Sequence, residues 1–108
     1  MATIQNIVID QGTTFSLELT LTNDDGSATD LTDYTVSSQM RKSHYSTTYT
    51  SFTTNKVNLT GVITISLTAT QTSELKAGRY VYDIEITSSE ETVRVLEGIV
   101  TVTPEVTK

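Results

Sequence analysis

Few side chains in this sequence could take part in catalysis. The chain has no cysteine and one histidine, His44, which excludes thiol nucleophiles and metal sites built from several histidines. A catalytic histidine needs a nucleophile and an orienting acid brought within hydrogen-bond reach, and nothing in the sequence nominates residues for these roles. We therefore interpret His44 as a solvated loop residue, and we predict no catalytic residues and no enzymatic activity.

Carboxylates are the other chemically capable group. Asp24, Asp25, Asp30 and Asp33 fall within ten residues, and carboxylate oxygens are the ligands that Ca²⁺ prefers. The spacing lacks the Asp-x-Asp-x-Asp-Gly pattern of an EF-hand loop. Turn formation and solubility are the alternative roles, and we favour them. The sequence therefore predicts no metal site and no cofactor.

The charge balance restricts the partners. The chain carries 13 acidic and 7 basic residues, a formal net charge of -6. Nucleic-acid binding depends on Lys and Arg, and here they cluster only around Arg41, Lys42 and His44, so we expect no nucleic-acid partner. No long apolar run and no basic, apolar start is present, so we expect neither a membrane partner nor a signal peptide.

The composition and the hydrophobic pattern favour strands. The chain has 23 Thr and 11 Ser but one Pro, and its apolar residues alternate with polar ones, most clearly over residues 15–21 and 79–87. Turn signals recur at short intervals. These features predict an all-β, immunoglobulin-like antiparallel sandwich of about seven strands over residues 1–104, with a tail at 105–108.

Local signals predict details of the middle of the chain. A first strand is expected over residues 4–9, a turn at 54–56, and a strand over 57–67 with a bulge or bend at Gly61. Thr68 and Gln71 have the spacing of a capping box, which predicts one short helical turn closed by Gly78.

Two further expectations concern the last strands. Tyr80 follows a tight corner, so we expect its hydroxyl to bond to backbone within residues 70–77, as in a tyrosine corner. The apolar positions of residues 92–103 change phase, from Val93 and Val95 to Val100 and Val102. The shift predicts a β-bulge at or next to Gly98.

Two segments are candidate interfaces with other proteins. The loop 43–52 contains Tyr45, Tyr49 and Phe52 among Ser and Thr, a composition that suits protein contacts because Tyr offers a large area at low entropic cost. The alternative is that these rings cover the open end of the sandwich. The N-terminal strand presents Ile4 and Ile7 on an edge that lacks charged residues before Asp10.

Four stretches together resemble a known family. They are residues 9–15 (IDQGTTF), 30–36 (DLTDYTV), 77–86 (AGRYVYDIEI) and 97–107 (EGIVTVTPEVT). Their order is similar to the N-terminal domain of the baseplate upper protein of tailed bacteriophages, a β-sandwich module that recurs in phage structural proteins. Asp33 departs from the family, which usually has Gly there.

The resemblance implies a function. It implies a non-enzymatic virion structural protein of the tail, baseplate, neck or capsid surface. Such a protein docks on other phage virion proteins. It also implies several copies in a symmetric assembly. A carbohydrate-binding or adhesive surface module is the alternative interpretation of the same sequence.

Overall fold

The structure is a computed structural model that describes residues 3–43 and 45–106. Its strands are β1 (Thr3–Ile4), β2 (Ile7–Asp10), β3 (Phe15–Thr20), β4 (Thr35–Arg41), β5 (Thr50–Ser51), β6 (Thr53–Val57), β7 (Val62–Leu67), β8 (Gly78–Thr87) and β9 (Thr92–Thr103). Helix α1 (Ala69–Ser73) lies between β7 and β8. Within the described ranges, no helix is long and apolar enough to cross a membrane.

The strands form two facing sheets. The larger has the order β1-β9-β8-β4-β5, with β2 also paired to β9, and the smaller has the order β3-β7-β6. These are the CFG-type and BED-type sheets of an immunoglobulin-like sandwich, which confirms the predicted all-β fold. The count is seven when β1 with β2, and β5 with β6, are taken as interrupted strands.

The core lies between the sheets and comes mainly from their central strands. Alternate residues of β7 and β8 are buried, among them Ile63, Ile65 and Ile84, which are fully enclosed. Residues of opposite phase face outward and are polar or partly exposed. This follows from the period of two that places successive side chains on opposite faces of a strand.

The last strand changes phase, but not where the sequence predicts. Ile84 pairs with Leu96 while Glu85 pairs with Arg94, so the extra residue is Val95. The prediction of a bulge at or next to Gly98 is therefore wrong in position, because the ladder runs on regularly through Gly98. The expected change of the buried face is confirmed. Val100 and Val102 are buried, and Val93 and the bulged Val95 pack against the core.

Gly98 has a different role, which is to admit the N-terminal segment. A Cβ there would collide with the carbonyl oxygen of Gln5. Gln5 donates its N–H to Glu97 O at 2.8 Å, and Ile99 N–H donates to the Asn6 side-chain oxygen at 3.1 Å. The first strand is thereby interrupted at Gln5 and Asn6, between β1 and β2.

The first strand also departs from the antiparallel expectation. β1 and β2 both run parallel to β9, with Ile4 opposite Glu97 and Ile7 opposite Val100. Every other strand pair is antiparallel. The N-terminal strands and the C-terminal strand therefore lie side by side along one edge of the larger sheet.

Two local expectations in the middle of the chain are wrong. The turn expected at residues 54–56 lies inside β6, and the reversal falls instead between β6 and β7. Gly61 belongs to that reversal, with φ of 69°, and is not a bend within a strand. Thr and Asn in this region alternate as strand residues, and their turn preference is overridden by pairing with β7.

The helix begins as expected and ends earlier. Thr68 and Gln71 form the capping box, in which each side chain accepts from the other residue's backbone N–H. The C-terminal cap is Glu74, whereas Gly78 is the first residue of β8. Beyond the last strand, Glu105 N–H donates to the Gln11 side chain at 3.0 Å, which ties the start of the predicted tail to the domain.

Tyrosine hydroxyls fasten two backbone segments. Tyr80 donates to Lys76 O at 2.7 Å, which confirms the predicted tyrosine-corner contact. Tyr82 donates to Gln5 O at 2.6 Å, and burial raises the pKa of Tyr82 to about 12. The second bond joins β8 to the interrupted first strand, and the sequence alone did not indicate it.

Removing each hydroxyl should separate the two roles. Tyr82→Phe leaves a backbone acceptor without its partner next to a buried ring, so we expect a loss of about 1–3 kcal/mol in unfolding free energy. Tyr80→Phe removes a bond at the exposed end of β8 and should cost about 0.5–1.5 kcal/mol. Urea unfolding of both variants measures this, and a Tyr82→Phe variant as stable as wild type would contradict the account.

Candidate protein-interaction surface

The structure divides the five predicted interface residues into two groups. Tyr45, Tyr49 and Ile4 are exposed, at 94%, 53% and 73% of their surface. Ile7 and Phe52 are buried, at 6% and 5%. Their selection as surface residues is therefore wrong, and both belong to the core.

Phe52 is buried because the chain changes sheets there. It stands between β5, which pairs with β4, and β6, which pairs with β7. Its N–H donates to Ser38 O at 3.0 Å, and its ring centroid lies 5.9 Å from that of Phe15 and 6.3 Å from that of Tyr82. The ring therefore fills the end of the sandwich, which is the alternative left open by the sequence.

Ile7 is buried because of the phase of β2. Ile7 and Ile9 face the core, and Val8 between them faces outward and is 64% exposed. The sequence shows three consecutive apolar residues here, so alternation alone does not distinguish the two faces. The parallel register with β9 directs Ile7 and Ile9 inward, because it pairs them with the buried Val100 and Val102.

Arg41 contacts two residues of the loop 43–52 next to β4. Its guanidinium lies 4.6 Å from the centroid of the Tyr49 ring, within the range of a cation–π contact. It also donates to Ser46 O at 2.5 Å and to the Gln39 side-chain oxygen at 2.9 Å. Arg41 thus fixes the Tyr49 ring at the margin of the larger sheet.

The other members of the predicted basic cluster are placed differently. Lys42 has its ammonium 4.7 Å from the centroid of the Tyr80 ring, at the tyrosine corner. His44 lies outside the described residues. Arg41 and Lys42 therefore contact separate aromatic rings.

A row of mainly apolar and aromatic side chains crosses the outer face of the larger sheet, in which Tyr49, Ile99 and Val8 are exposed and Arg41 and Val81 are half-buried. Arg41 is the register partner of Val81, and Val81 is that of Ile99. Tyr49 continues the row beyond Arg41, and Val8, whose partner Thr101 shares a face with Ile99, continues it at the other side. We call these five residues the outer-face row: Tyr49, Arg41, Val81, Ile99 and Val8.

Sequence reasoning missed Val8 and Ile99, which are among the large exposed hydrophobic residues of the described chain. The signal for Ile99 was present, since it lies out of phase with the buried Val100 and Val102. The outward direction of Val8 follows only from the pairing of β2 with β9, and that pairing is not visible in the sequence. No comparable signal marks Val8.

Charged groups border the outer-face row on one side. Arg94 lies 3.3 Å from Asp83 and 3.9 Å from Glu97, and these are the two ion pairs within residues 3–43 and 45–106. Together with Gln39 and Glu85 they line a shallow depression of about 340 Å³ on the outer face. The surface therefore combines an apolar and aromatic strip with a polar margin.

Two carboxylates of the acidic segment 24–33 stabilise turns by accepting hydrogen bonds from residues two positions further on. Asp25 accepts from Ser27 N–H at 2.9 Å and Ser27 Oγ at 2.6 Å, and Asp30 accepts in the same way from Thr32. The Ser27 and Thr32 hydroxyls lower the pKa of these two carboxyl groups. Across the described part of the chain, no three acidic or histidine side chains are grouped to hold a metal ion.

Comparison with known proteins identifies no family. No family model matches the chain, and no curated protein matches it. Among solved structures it is similar to InlP of Listeria monocytogenes, with 15% identity and a TM-score of 0.53 over 94% of this chain and 28% of that one. A family 123 glycoside hydrolase from Clostridium perfringens is similar over 97% of this chain and 24% of its own, with 14% identity and a TM-score of 0.45.

These similarities concern the fold alone. The chain spans about a quarter of the length of each of the two proteins. At 15% identity, the likeness to InlP shows a shared fold and carries no information on activity or partners.

The contrast between Phe52 and Tyr49 can be measured directly. Phe52→Ala should lower the unfolding free energy by about 3–5 kcal/mol, the usual cost of removing a buried aromatic ring. Tyr49→Ala removes one cation–π contact at an exposed site and should cost less than about 1 kcal/mol. Chemical unfolding of both variants checks this, and equal losses would show that the two rings are not divided between core and surface.

Proposed function

We propose that this domain is a non-enzymatic structural protein of a tailed-phage particle that docks on other virion proteins through the outer-face row. The observation that carries the proposal is the row itself, in which Val8 and Ile99 are exposed on the outer face of β2 and β9 and Val81 connects them to Arg41 and Tyr49. The phage setting rests on the sequence resemblance described above.

The composition of the row suits a protein interface. Interface centres are enriched in Tyr and Arg, and they are depleted of most other charged residues, which lie at the rim. Here the carboxylates of Asp83 and Glu97 and the guanidinium of Arg94 stand beside the row. A partner that covers the row would bury the apolar side chains and leave this polar margin in water.

Repetition of the domain in a symmetric particle would strengthen such a contact. A five-residue row supports a modest affinity, because binding first has to offset lost translational and rotational freedom. Several copies held in one assembly convert later contacts into intramolecular ones and raise the overall affinity without new interactions. The proposal therefore includes multiple copies, each docked in the same way.

The alternative, carbohydrate binding, depends on exposed aromatic rings. Tyr49 is the ring that the structure positions on the sheet, and Arg41 covers one of its faces. One face remains for stacking. The neighbouring Arg41 already donates to Ser46 O and to the Gln39 side chain, and beyond it the row continues with the aliphatic Val81, Ile99 and Val8, which offer sugar hydroxyls no hydrogen bonds. Protein docking is thus the better supported function.

The test is the occupancy of variants in purified phage particles. Tyr49→Ala combined with Ile99→Ser should reduce incorporation by about tenfold or more, since interface residues of this kind contribute about 2 kcal/mol each when fully covered. The matched control is Leu59→Ser, which changes an exposed leucine in the turn after β6. Circular dichroism should show that all variants remain folded.

Quantitative mass spectrometry of the particles gives the result. Loss of the double variant with normal incorporation of Leu59→Ser supports docking through the row. Normal occupancy of the double variant would contradict the proposed surface. Absence of the wild-type chain from the particles would contradict the virion assignment.

A further inference from the structure

β3 is an open edge of the smaller sheet. In the order β3-β7-β6 it pairs on one side with β7 alone. Leu21 N–H donates to Gly61 O at 2.8 Å, and hydrogen bonding alternates along an antiparallel strand, so Leu17 and Leu19 also direct their backbone groups toward β7. The N–H and C=O groups of Ser16, Glu18 and Thr20 therefore point away from the sheet.

The other edges of the described chain are interrupted or covered. β5 has two residues, and β1 is separated from β2 by the irregular Gln5 and Asn6. On β6, the Lys56 ammonium donates to Leu31 O and Tyr34 O at 2.7 and 2.5 Å, which holds a loop against that strand. These are devices by which proteins block pairing with another chain.

β3 has none of these devices. Its six residues contain no Pro, Gly or Lys, and all six pair regularly with β7 without a bulge. Its one charged side chain is Glu18, which is exposed on the outer face. A regular edge of this length is a template for one more strand.

The apolar face of β3 is also incompletely covered. Phe15, Leu17 and Leu19 face the core but remain partly exposed. Their register partners on β7, namely Leu67, Ile65 and Ile63, are buried. A strand added beside β3 would complete the burial of these side chains and would bond to the outward backbone groups.

We propose that the added strand is β3 of a second copy of this chain, paired antiparallel about a twofold axis at Leu17. In that register Leu17 faces Leu17 of the second copy, and Phe15 faces Leu19. Ser16 then stands opposite Glu18, so each carboxylate meets a hydroxyl group. A register centred on Glu18 would place two carboxylates directly opposite each other, which is unfavourable.

The charge distribution along the domain favours the antiparallel arrangement. Six exposed carboxylates lie at the end where β3 finishes: Asp24, Asp25, Asp30, Asp33, Glu90 and Glu91. The opposite end is close to neutral, because Arg41, Lys42, Lys76 and Arg79 lie there together with Asp10, Glu74 and Glu105. Antiparallel pairing sets the acidic end of each copy toward the near-neutral end of the other, whereas parallel pairing would bring the two acidic ends together.

This contact adds to the proposed function a specific interface between copies, on the opposite sheet from the outer-face row. It is independent of the phage assignment. A test on the isolated chain therefore leaves the proposed function unaffected if it fails.

Sedimentation equilibrium of the wild-type chain should show a reversible monomer–dimer equilibrium. Glu18→Pro removes an N–H that points out of the sheet, a position where proline is tolerated on an edge strand. It deletes two intermolecular bonds per dimer and should weaken association by about tenfold or more. Glu18→Ala keeps the backbone donor and should dimerise at least as well as wild type.

A wild-type chain that stays monomeric at its highest soluble concentration would overturn the proposal. So would a Glu18→Pro variant that keeps its cooperative melt and dimerises as wild type does. The melt is the necessary control, because it shows that the variant is still folded and lacks only the outward N–H of residue 18.

Disulfide cross-linking tests the register. The chain has no cysteine, so introduced pairs report without background. A mixture of Ser16→Cys and Glu18→Cys chains should give an oxidised heterodimer at twice the chain mass of 11.8 kDa, more efficiently than either variant alone. Preferential self-cross-linking of Glu18→Cys would overturn the Leu17-centred register.

Discussion

The extra residue Val95 in β9 determines which side chains of the last strand are buried. Before it, Val93 stands opposite the buried Ile86, and after it Leu96 stands opposite the buried Ile84. If β9 ran as a regular strand through all of residues 92–103, it would present Glu97 and Ile99 to the core and Val100 to water. Burying an unpaired carboxylate is costly, so the position of the bulge is fixed by the energetics of the whole strand.

The consequences extend beyond β9. With even-numbered residues directed inward, Gly98 lies opposite Tyr82 and beneath Gln5, where a side chain would not fit. The N-terminal segment can then pair with β9, and the Tyr82 hydroxyl fastens it at Gln5 O. The same phase directs Ile99 outward and, through the parallel register, Val8 as well. The composition of the core and that of the outer-face row are thus two results of one insertion.

Much of this arrangement could be predicted from the sequence, because it depends on local alternation. The strands β3, β8 and β9, the capping box at Thr68 and the Tyr80 corner all follow from nearest neighbours along the chain. The bulge was recognised as necessary from the phase change, but its position depends on the register with β8, which a single strand does not encode.

The outer-face row is less accessible to sequence reasoning. Phe52 looked like a loop aromatic because nothing nearby shows that the chain crosses between sheets at that residue. Ile7 and Val8 are adjacent and both apolar, and the parallel partner that separates their faces is about ninety residues away along the chain. Exposure of Tyr45 and Tyr49 was expected correctly, whereas the assembly of Tyr49 with Ile99 and Val8 required the complete sheet order.

A cryo-electron microscopy map of the intact phage particle tests the central claim, that this domain acts by docking its larger sheet. The account predicts density for the chain in symmetric copies, with Val8, Ile99 and Tyr49 covered by a neighbouring protein. A domain attached by another surface, with the outer-face row open to solvent in every copy, would contradict it.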